Sequence, residues 1–321
     1  MMKVAVTGST GLIGTALTAS LLADGHSVVR LVRRAPRAAD EVRWDPRAVD
    51  GGLSGSDALD GVTACVHLAG AGVGNRRWTA RYKAEIKASR VLGTRALSGA
   101  LARLTPPPSV LVCASAIGWY GSQSAAVTES AGASESAGAV DETAPAGTGF
   151  LAGLVSEWEA AAAPAQDAGI RVVHARSGLV LARGGGLLGR MAPLARLGPV
   201  NLCPRFGTGR QIMTWIAMPD EVAAIRFLLD RDDLSGPVNL TSPEAVSNAE
   251  FTAALADAVG RRDLPWLRVP APLLRLALGE ASIELLGSSR VVPARLQAAG
   301  FEFRYPSVRE ALVDQLAPGS R

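Results

Sequence analysis

The stretch TGSTGLIG, residues 7–14, sets glycines at 8, 11 and 14 between the apolar run VAVT and a segment whose Ile13, Leu17 and Leu21 recur as one helix face requires. A strand, a tight turn and a helix with glycines at that spacing form a GxxGxxG variant of the dinucleotide fingerprint. Gly8 permits the turn, Gly11 lets the backbone approach a pyrophosphate at the helix N-terminus beside Thr10, Leu12 and Ile13, and Gly14 lets helix and strand pack closely. Three glycines also suit an ordinary βα turn; their place after the first strand favours the nucleotide. The second strand, SVVRLV (27–32), runs into Arg33 and Arg34. An acidic residue there would hydrogen-bond the ribose 2′-hydroxyl of NAD, whereas two guanidinium groups suit the 2′-phosphate of NADP(H). The other reading is a pair of solvated arginines at a strand end.

The elements that must hold these groups follow by alternation. TACVHLAGAG (63–72) reads as a buried strand entering a glycine turn, with Leu68, Ala69, Gly70 and Ala71 expected beside the cofactor. Residues 77–104 read as a long helix, 109–116 as a strand, 150–169 as a helix and 171–182 as a strand. Between them, 122–149 is small, polar and acidic, and is expected to be a mobile loop or lid. Repeated βα units imply an α/β fold, a Rossmann-like doubly wound parallel sheet with ligands beyond its C-terminal strand ends. From 183 the alternation fails in a Gly-, Pro- and Arg-rich stretch. A helix over 219–233, a strand over 237–241 and a helix over 247–261, with Ser247 as N-cap and Glu250 at the capping-box position, come next. The expected division is a Rossmann domain over 1–182, its sheet completed by 211–241, and a smaller C-terminal substrate lobe over 183–210 and 242–321.

At 321 residues, 48% hydrophobic and 19% charged, the chain can bury a full core. Its net charge of +4 comes from scattered bases interleaved with acids, which argues against nucleic acid. Cys65, Cys113 and Cys203 lack the spacing of a disulfide framework or a metal site and suit a reducing cytoplasm. No segment reaches about 18 uninterrupted apolar residues, so a soluble, untargeted protein, monomer or homodimer, with no membrane partner is expected.

The chain resembles the extended short-chain dehydrogenase/reductase superfamily, and more closely its branch of nucleoside-diphosphate-sugar epimerases with an uncharacterised C-terminal domain. The resemblance runs nearly end to end and rests on TGSTGLIG (7–14), WDP (44–46), HLAGAGV…RRW (67–78), SRVLGTRAL (89–97), SAIGWYG (115–121), FLAGLVSEWEAAA (150–162), RSGLVLARGGG (176–186), GTGRQIMTWI (207–216), PVNLTSPEAVSNAEF (237–251) and AGFEFRYPSVREAL (299–312). In that superfamily a Ser or Thr polarises a carbonyl, a Tyr moves the proton and a Lys four residues on lowers the tyrosine pKa. The resemblance gives Ser115 the first role. It puts Leu151 at the tyrosine position and Val155 at the lysine position, and tyrosine occurs only at 82, 120 and 305, never with lysine four residues on. The pair is absent.

Tyr120 is the first candidate to replace it as acid, the other reading being an aromatic that shields the pocket. Lys87 and Arg176 complete the expected cofactor contacts, with Lys87 also readable as a surface ion pair. Arg77, Trp78 and Arg210 are candidate substrate contacts, and no metal is expected. Arg90 stands where extended members often carry an asparagine, and Ala217 replaces a family-typical histidine. His26, His67 and His174 read as structural. Three functions stay open: an NADP(H)-dependent oxidoreductase or epimerase acting on a small polar or sugar-nucleotide-like substrate, a non-catalytic NADP(H) sensor, and a scaffold that inherited the fold.

Overall fold

The computed structural model describes residues 1–48, 52–53, 59–74, 76–122 and 138–317. Apolar β-branched runs form β1 (Lys3–Thr7), β2 (Ser27–Val32), β3 (Glu41–Arg43), β4 (Ala64–His67), β5 (Val110–Ala116) and β6 (Arg171–Ser177). Short strands follow: β7 (Leu179–Leu181), β8 (Arg205–Phe206), β9 (Ile212–Met213), β10 (Trp215–Ala217), β11 (Gly236–Leu240), β12 (Val246–Ser247) and β13 (Arg268–Val269). Seven of them make one parallel sheet in the order β11-β6-β5-β4-β1-β2-β3. Chain order reverses between β1 and β4, the switch point where such sheets open a crevice at their C-terminal edge. Buried on both faces, β4 shows no exposed position, as a sheet covered by helices on each side demands.

Helices α1 (Leu12–Ala23), α2 (Ala80–Leu101), α3 (Phe150–Ala160) and α4 (Ala163–Asp167) lie in the first half. α1 packs on one face with Val4, Val6, Val66 and Val112, while the Leu97–Leu101 end of α2 and the Ala162–Ala165 segment pack on the other with Ala5, Cys65 and Leu111. The expected 150–169 helix breaks between α3 and α4, where Pro164 cannot donate a backbone hydrogen bond.

Gly178 is the pivot of the molecule. Its amide still donates to the Leu240 carbonyl of the main sheet at 3.0 Å, while β7, immediately after it, pairs with β10 instead. A Cβ there would sit 3.0 Å from the Thr214 carbonyl oxygen. The Gly- and Pro-rich stretch after 183 holds a helix that composition did not suggest, α5 (Gly186–Arg196), with Pro193 inside it. Then come α6 (Met218–Asp230), α7 (Asn248–Ala258), α8 (Ala271–Leu278), α9 (Ile283–Leu286), α10 (Ala294–Ala298) and α11 (Val308–Leu316). The capping box at Ser247 and Glu250 forms in full.

A second core gathers Leu188, Met191, Trp215, Phe251, Tyr305 and Leu312, so the smaller lobe has its own interior. Its boundary is interleaved: Trp215 and Ala217 belong to that core, whereas Leu296, Phe301 and Phe303 return to the main one. The expected lid over 122–149 lies largely outside the described residues. Its return limb is pinned at the base, for Gly147 donates to the Trp119 carbonyl at 2.8 Å and is packed too closely on Tyr120 to admit a side chain.

Candidate functional site

At the β1/β4 switch point lies a cleft of about 1070 Å³. Its floor is Gly8 to Gly11, its sides the ends of β2 and β4, and its roof the first turns of α2. Gly8 has φ of +67°, and a Cβ on it would meet the Leu68 carbonyl carbon at 2.8 Å. A Cβ on Gly14 would overlap the Gly8 carbonyl, 2.8 Å from its carbon atom. These contacts give the glycines a physical reason. Gly11 caps α1 without a side chain, so helix geometry leaves the amides of Leu12, Ile13 and Gly14 directed out of the first turn, a ready site for a phosphate. The Leu12 side chain packs on Gly185, and Ile13 joins the main core. Thr10 and the turn Leu68, Ala69, Gly70 and Ala71 line the cleft.

Thr7 holds the two strands together below it. Its hydroxyl accepts from the Leu68 and Ala69 amides at 3.1 and 3.3 Å and shares a hydrogen bond with His67 Nδ1 at 2.7 Å. Burial pushes the His67 pKa down to about 4, so the ring is neutral and structural, edge-on to Trp44. Arg33 is exposed at the mouth of the cleft and makes no ion pair among the described residues. Arg34 also lines it, but donates two hydrogen bonds to the Glu41 carboxylate at 2.6 and 2.7 Å. These bonds hold Glu41 down at about 2. Arg47, which no motif marks in the sequence, completes this end.

The residues expected to do chemistry gather elsewhere. Ser115 and Arg176 are register partners on β5 and β6, and both turn toward Glu159 on α3. Ser115 donates to Glu159 Oε1 at 2.6 Å, and the Arg176 guanidinium makes a two-pronged pair with the same carboxylate at 2.8 and 2.9 Å. Arg176 donates a third bond to the Tyr120 hydroxyl at 3.1 Å and lies 4.0 Å over the Trp119 ring. Tyr120 donates to Asn239 Oδ1 at 2.8 Å, and the Asn239 amide donates to the Glu142 carboxylate. Burial is the main influence on the Tyr120 hydroxyl and raises its pKa.

Three of the expected residues thus share one network: Tyr120 is buried and bonded to Arg176 and Asn239, and Ser115 and Arg176 both meet Glu159. Lys87 pairs with Glu157 across α2 and α3 at 2.7 Å and is not among the residues lining the cleft. Nothing in the sequence spacing of Glu159 to Ser115 or Arg176 announces this salt bridge.

A second cavity, about 720 Å³, opens between α3 and the 279–289 segment of the smaller lobe. Leu151 lines it, and Leu151 and Val155 close on Gly118, where a Cβ would lie 3.3 Å from the Leu151 Cβ. Where the superfamily keeps a hydroxyl, Leu151 gives the wall hydrocarbon, and Val155 at the ammonium position packs behind it on Gly118. Trp78 lines the cavity, donates to the Val73 carbonyl and stacks edge-on with Phe150 at 5.2 Å. Arg77 leans on Gly279 at the rim, and Arg210 is exposed on a neighbouring turn outside the lining. An anion grip built from Arg77 and Arg210 is therefore not what lines the cavity; its walls are mainly apolar, with Arg275, Glu280 and Glu284 as their charged members. Among the described residues no cluster of His, Cys, Asp and Glu is arranged to hold a metal, and no helix is long and apolar enough to cross a membrane.

The parallel sheet, its glycine turn at the switch point and the second cavity beside Gly118 define a Rossmann-like protein of the extended short-chain dehydrogenase/reductase class. Residues 4–241 match the NAD dependent epimerase/dehydratase family and residues 269–315 match a domain of unknown function, DUF1731; the chain belongs to the NAD dependent epimerase/dehydratase family. It is 45% identical over 310 residues to the epimerase family protein Mb2239 of Mycobacterium bovis, covering 96% of each chain. To the epimerase family protein SDR39U1 of Homo sapiens it is 34% identical over 320 residues, covering 98% of this chain and 100% of that one. The crystal structure of the human protein with NADPH superposes with a TM-score of 0.85 at 33% identity, covering 98% of this chain and 99% of that chain.

Proposed function

We propose that this chain is an NADP(H)-binding oxidoreductase or epimerase-like protein whose small substrate occupies the cavity beside Gly118. The observation that carries the reading is the free guanidinium of Arg33 at the mouth of a cleft whose floor is the Gly8–Gly14 turn. The human relative crystallised with NADPH supports the choice of cofactor. The main-chain groups of residues 10–13 receive the pyrophosphate, Arg33 the 2′-phosphate, and the Leu68–Ala71 turn flanks the dinucleotide. When bound, the nicotinamide supplies or accepts hydride; the chain orients it and keeps water from the apolar wall of Leu151 and Val155.

The test is a titration of the purified protein with NADPH and NADH, reading energy transfer from tryptophan to the reduced nicotinamide. Arg33→Ala removes a charge-assisted contact of about 1.5–3 kcal/mol, so NADPH affinity is expected to fall roughly 10- to 100-fold while NADH binding is unchanged. Equal loss for both dinucleotides sinks the assignment of the 2′-phosphate. A second reading, an NADP(H) sensor without turnover, is favoured by the hydrocarbon at 151 and 155 and by the inward-turned Tyr120. Tight binding with no nicotinamide oxidation over a panel of carbonyl compounds and sugar nucleotides selects it.

A further inference from the structure

The second cavity has lost the superfamily's proton relay, yet it is not without an acid. Three charged side chains line it among the described residues, all from the DUF1731 segment. Arg275 does not release a proton at neutral pH. Glu280 is engaged by Lys83 at 2.7 Å. Glu284, in the single turn of α9, makes no ion pair within 4 Å among the described residues.

Glu284 is open to the cavity, yet protein surrounds it densely enough that desolvation raises its carboxyl pKa, with the Arg90 charge across the gap drawing it back down. Arg90 fixes where that gap lies. Its guanidinium donates to the Ala71 carbonyl at 2.9 Å and rests against Gly70, so it touches the turn that lines the cofactor cleft. Its other face lies over Trp158 at 4.9 Å. Glu284 is thus within electrostatic reach of the side chain that touches the cofactor turn, and it lines the same cavity as Ile117, Gly118 and Leu151, the last of these standing where the superfamily keeps its tyrosine.

We propose that Glu284 is the proton donor to the carbonyl oxygen of a substrate held in this cavity, and that this substrate is an uncharged carbonyl compound with an apolar body. The assignment rests on the oxidoreductase reading above. The carbonyl carbon gains hydride from the reduced nicotinamide, the carbonyl π pair moves to oxygen, and the oxygen takes the Glu284 proton. The products are an alcohol, the oxidised nicotinamide and a carboxylate that recovers its proton from water. Trp78, Phe150, Ile212 and Met213 supply the apolar surface for the substrate body. The Glu284 carboxyl answers to its desolvation and to the Arg90 charge; the other charged groups around the cavity are Arg275, the Glu280–Lys83 pair and Arg77 at Gly279.

The experiment uses the full chain with NADPH and benzil, an apolar aromatic diketone, and with NADPH and UDP-glucose as the contrasting probe. Wild type is expected to oxidise NADPH with benzil and to leave UDP-glucose unchanged. Glu284→Gln is expected to lower kcat about 100-fold or more with KM and NADPH affinity unaltered, since general acid catalysis contributes on that scale. The wild-type rate falls as pH rises through the carboxyl pKa, and that limb is expected to disappear in Glu284→Gln and to return, at a lower rate, in Glu284→Asp. Retained NADPH binding by each variant shows that the fold survives. An unchanged kcat or pH profile in Glu284→Gln overturns the assignment, as does epimerisation of UDP-glucose without benzil reduction. NADPH binding with no turnover of either probe also overturns it and leaves the cofactor reading standing, whereas failure of wild type to bind NADPH removes both.

Discussion

Arg176→Met separates a buried ion pair that holds the molecule together from one that merely decorates it. The Arg176 side chain is 2% exposed and Glu159 is 10% exposed, so neither charge is repaid by water if the other is deleted. Removing the guanidinium deletes two charge-assisted bonds to Glu159 and one bond to Tyr120, and leaves the Glu159 carboxylate with Ser115 as its remaining donor. Breaking a buried pair from one side costs about 3–5 kcal/mol. At roughly 2 °C per kcal/mol for a chain of this size, Tm is expected to fall by about 6–10 °C. The double change Glu159→Leu with Arg176→Met removes both charges and leaves only the Ser115 and Tyr120 hydroxyls short of a partner, about 1 kcal/mol each. It is therefore expected to unfold at a higher temperature than Arg176→Met alone. Differential scanning calorimetry on wild type, both single variants and the double variant gives the coupling directly. A Tm for Arg176→Met within about 2 °C of wild type, or a double variant as unstable as the sum of the singles, refutes the reasoning.

Glu221 is fully buried, accepts from Ser177 at 2.6 Å and has a second oxygen with no partner, and burial raises its pKa to about 7. A folded value above the unfolded one means the folded state binds the proton more tightly: the contribution is full below about pH 4.5 and is lost as pH rises through about 7. Glu221→Gln, measured by thermal melts, is expected to be more stable than wild type at pH 8, by about 3 kcal/mol at most, with the advantage vanishing at pH 5; an equal difference at both pH values contradicts it. Gly14→Ala forces a methyl against the Gly8 carbonyl, and is expected to cost about 1–3 kcal/mol and to abolish NADPH binding in the tryptophan energy-transfer titration. A normal titration shows that the turn yields without strain.

What could be seen in the sequence was what short-range chemistry dictates. The glycines at 8, 11 and 14, the alternation that builds β1 to β6 and the capping box at Ser247 each depend on residues a few positions apart. α5 was hidden because Gly186, Gly189 and Pro193 have poor helix propensity, and packing of Leu188, Met191 and Ala192 into the second core overrides it. The site beyond the cofactor was legible only as an absence, Leu151 and Val155 in place of the pair. Glu159 meets Ser115 across 44 positions, Asn239 meets Tyr120 across 119, and Arg90 faces Glu284 from the opposite lobe. No period or spacing encodes such meetings; the order of strands in the sheet and the return of the C-terminal segments create them.

The apolar wall and the proton donor are two sides of one substitution. In the superfamily arrangement a lysine cation lowers the pKa of a tyrosine, bringing a weak acid down toward working pH. With Leu151 and Val155 in those places there is no cation on α3 to do so, and Leu151 adds hydrocarbon to the cavity lining. A carboxyl responds to that environment in the opposite sense, its neutral form favoured by burial. Arg90 opposes the rise, so desolvation and a fixed positive charge pull the Glu284 pKa in opposite directions. Restoring a lysine at 155 without its tyrosine places a second cation in that field. On the assignment of Glu284, Val155→Lys is then expected to move the falling limb of the pH–rate profile to lower pH, the direction that a purely structural role for Glu284 does not produce.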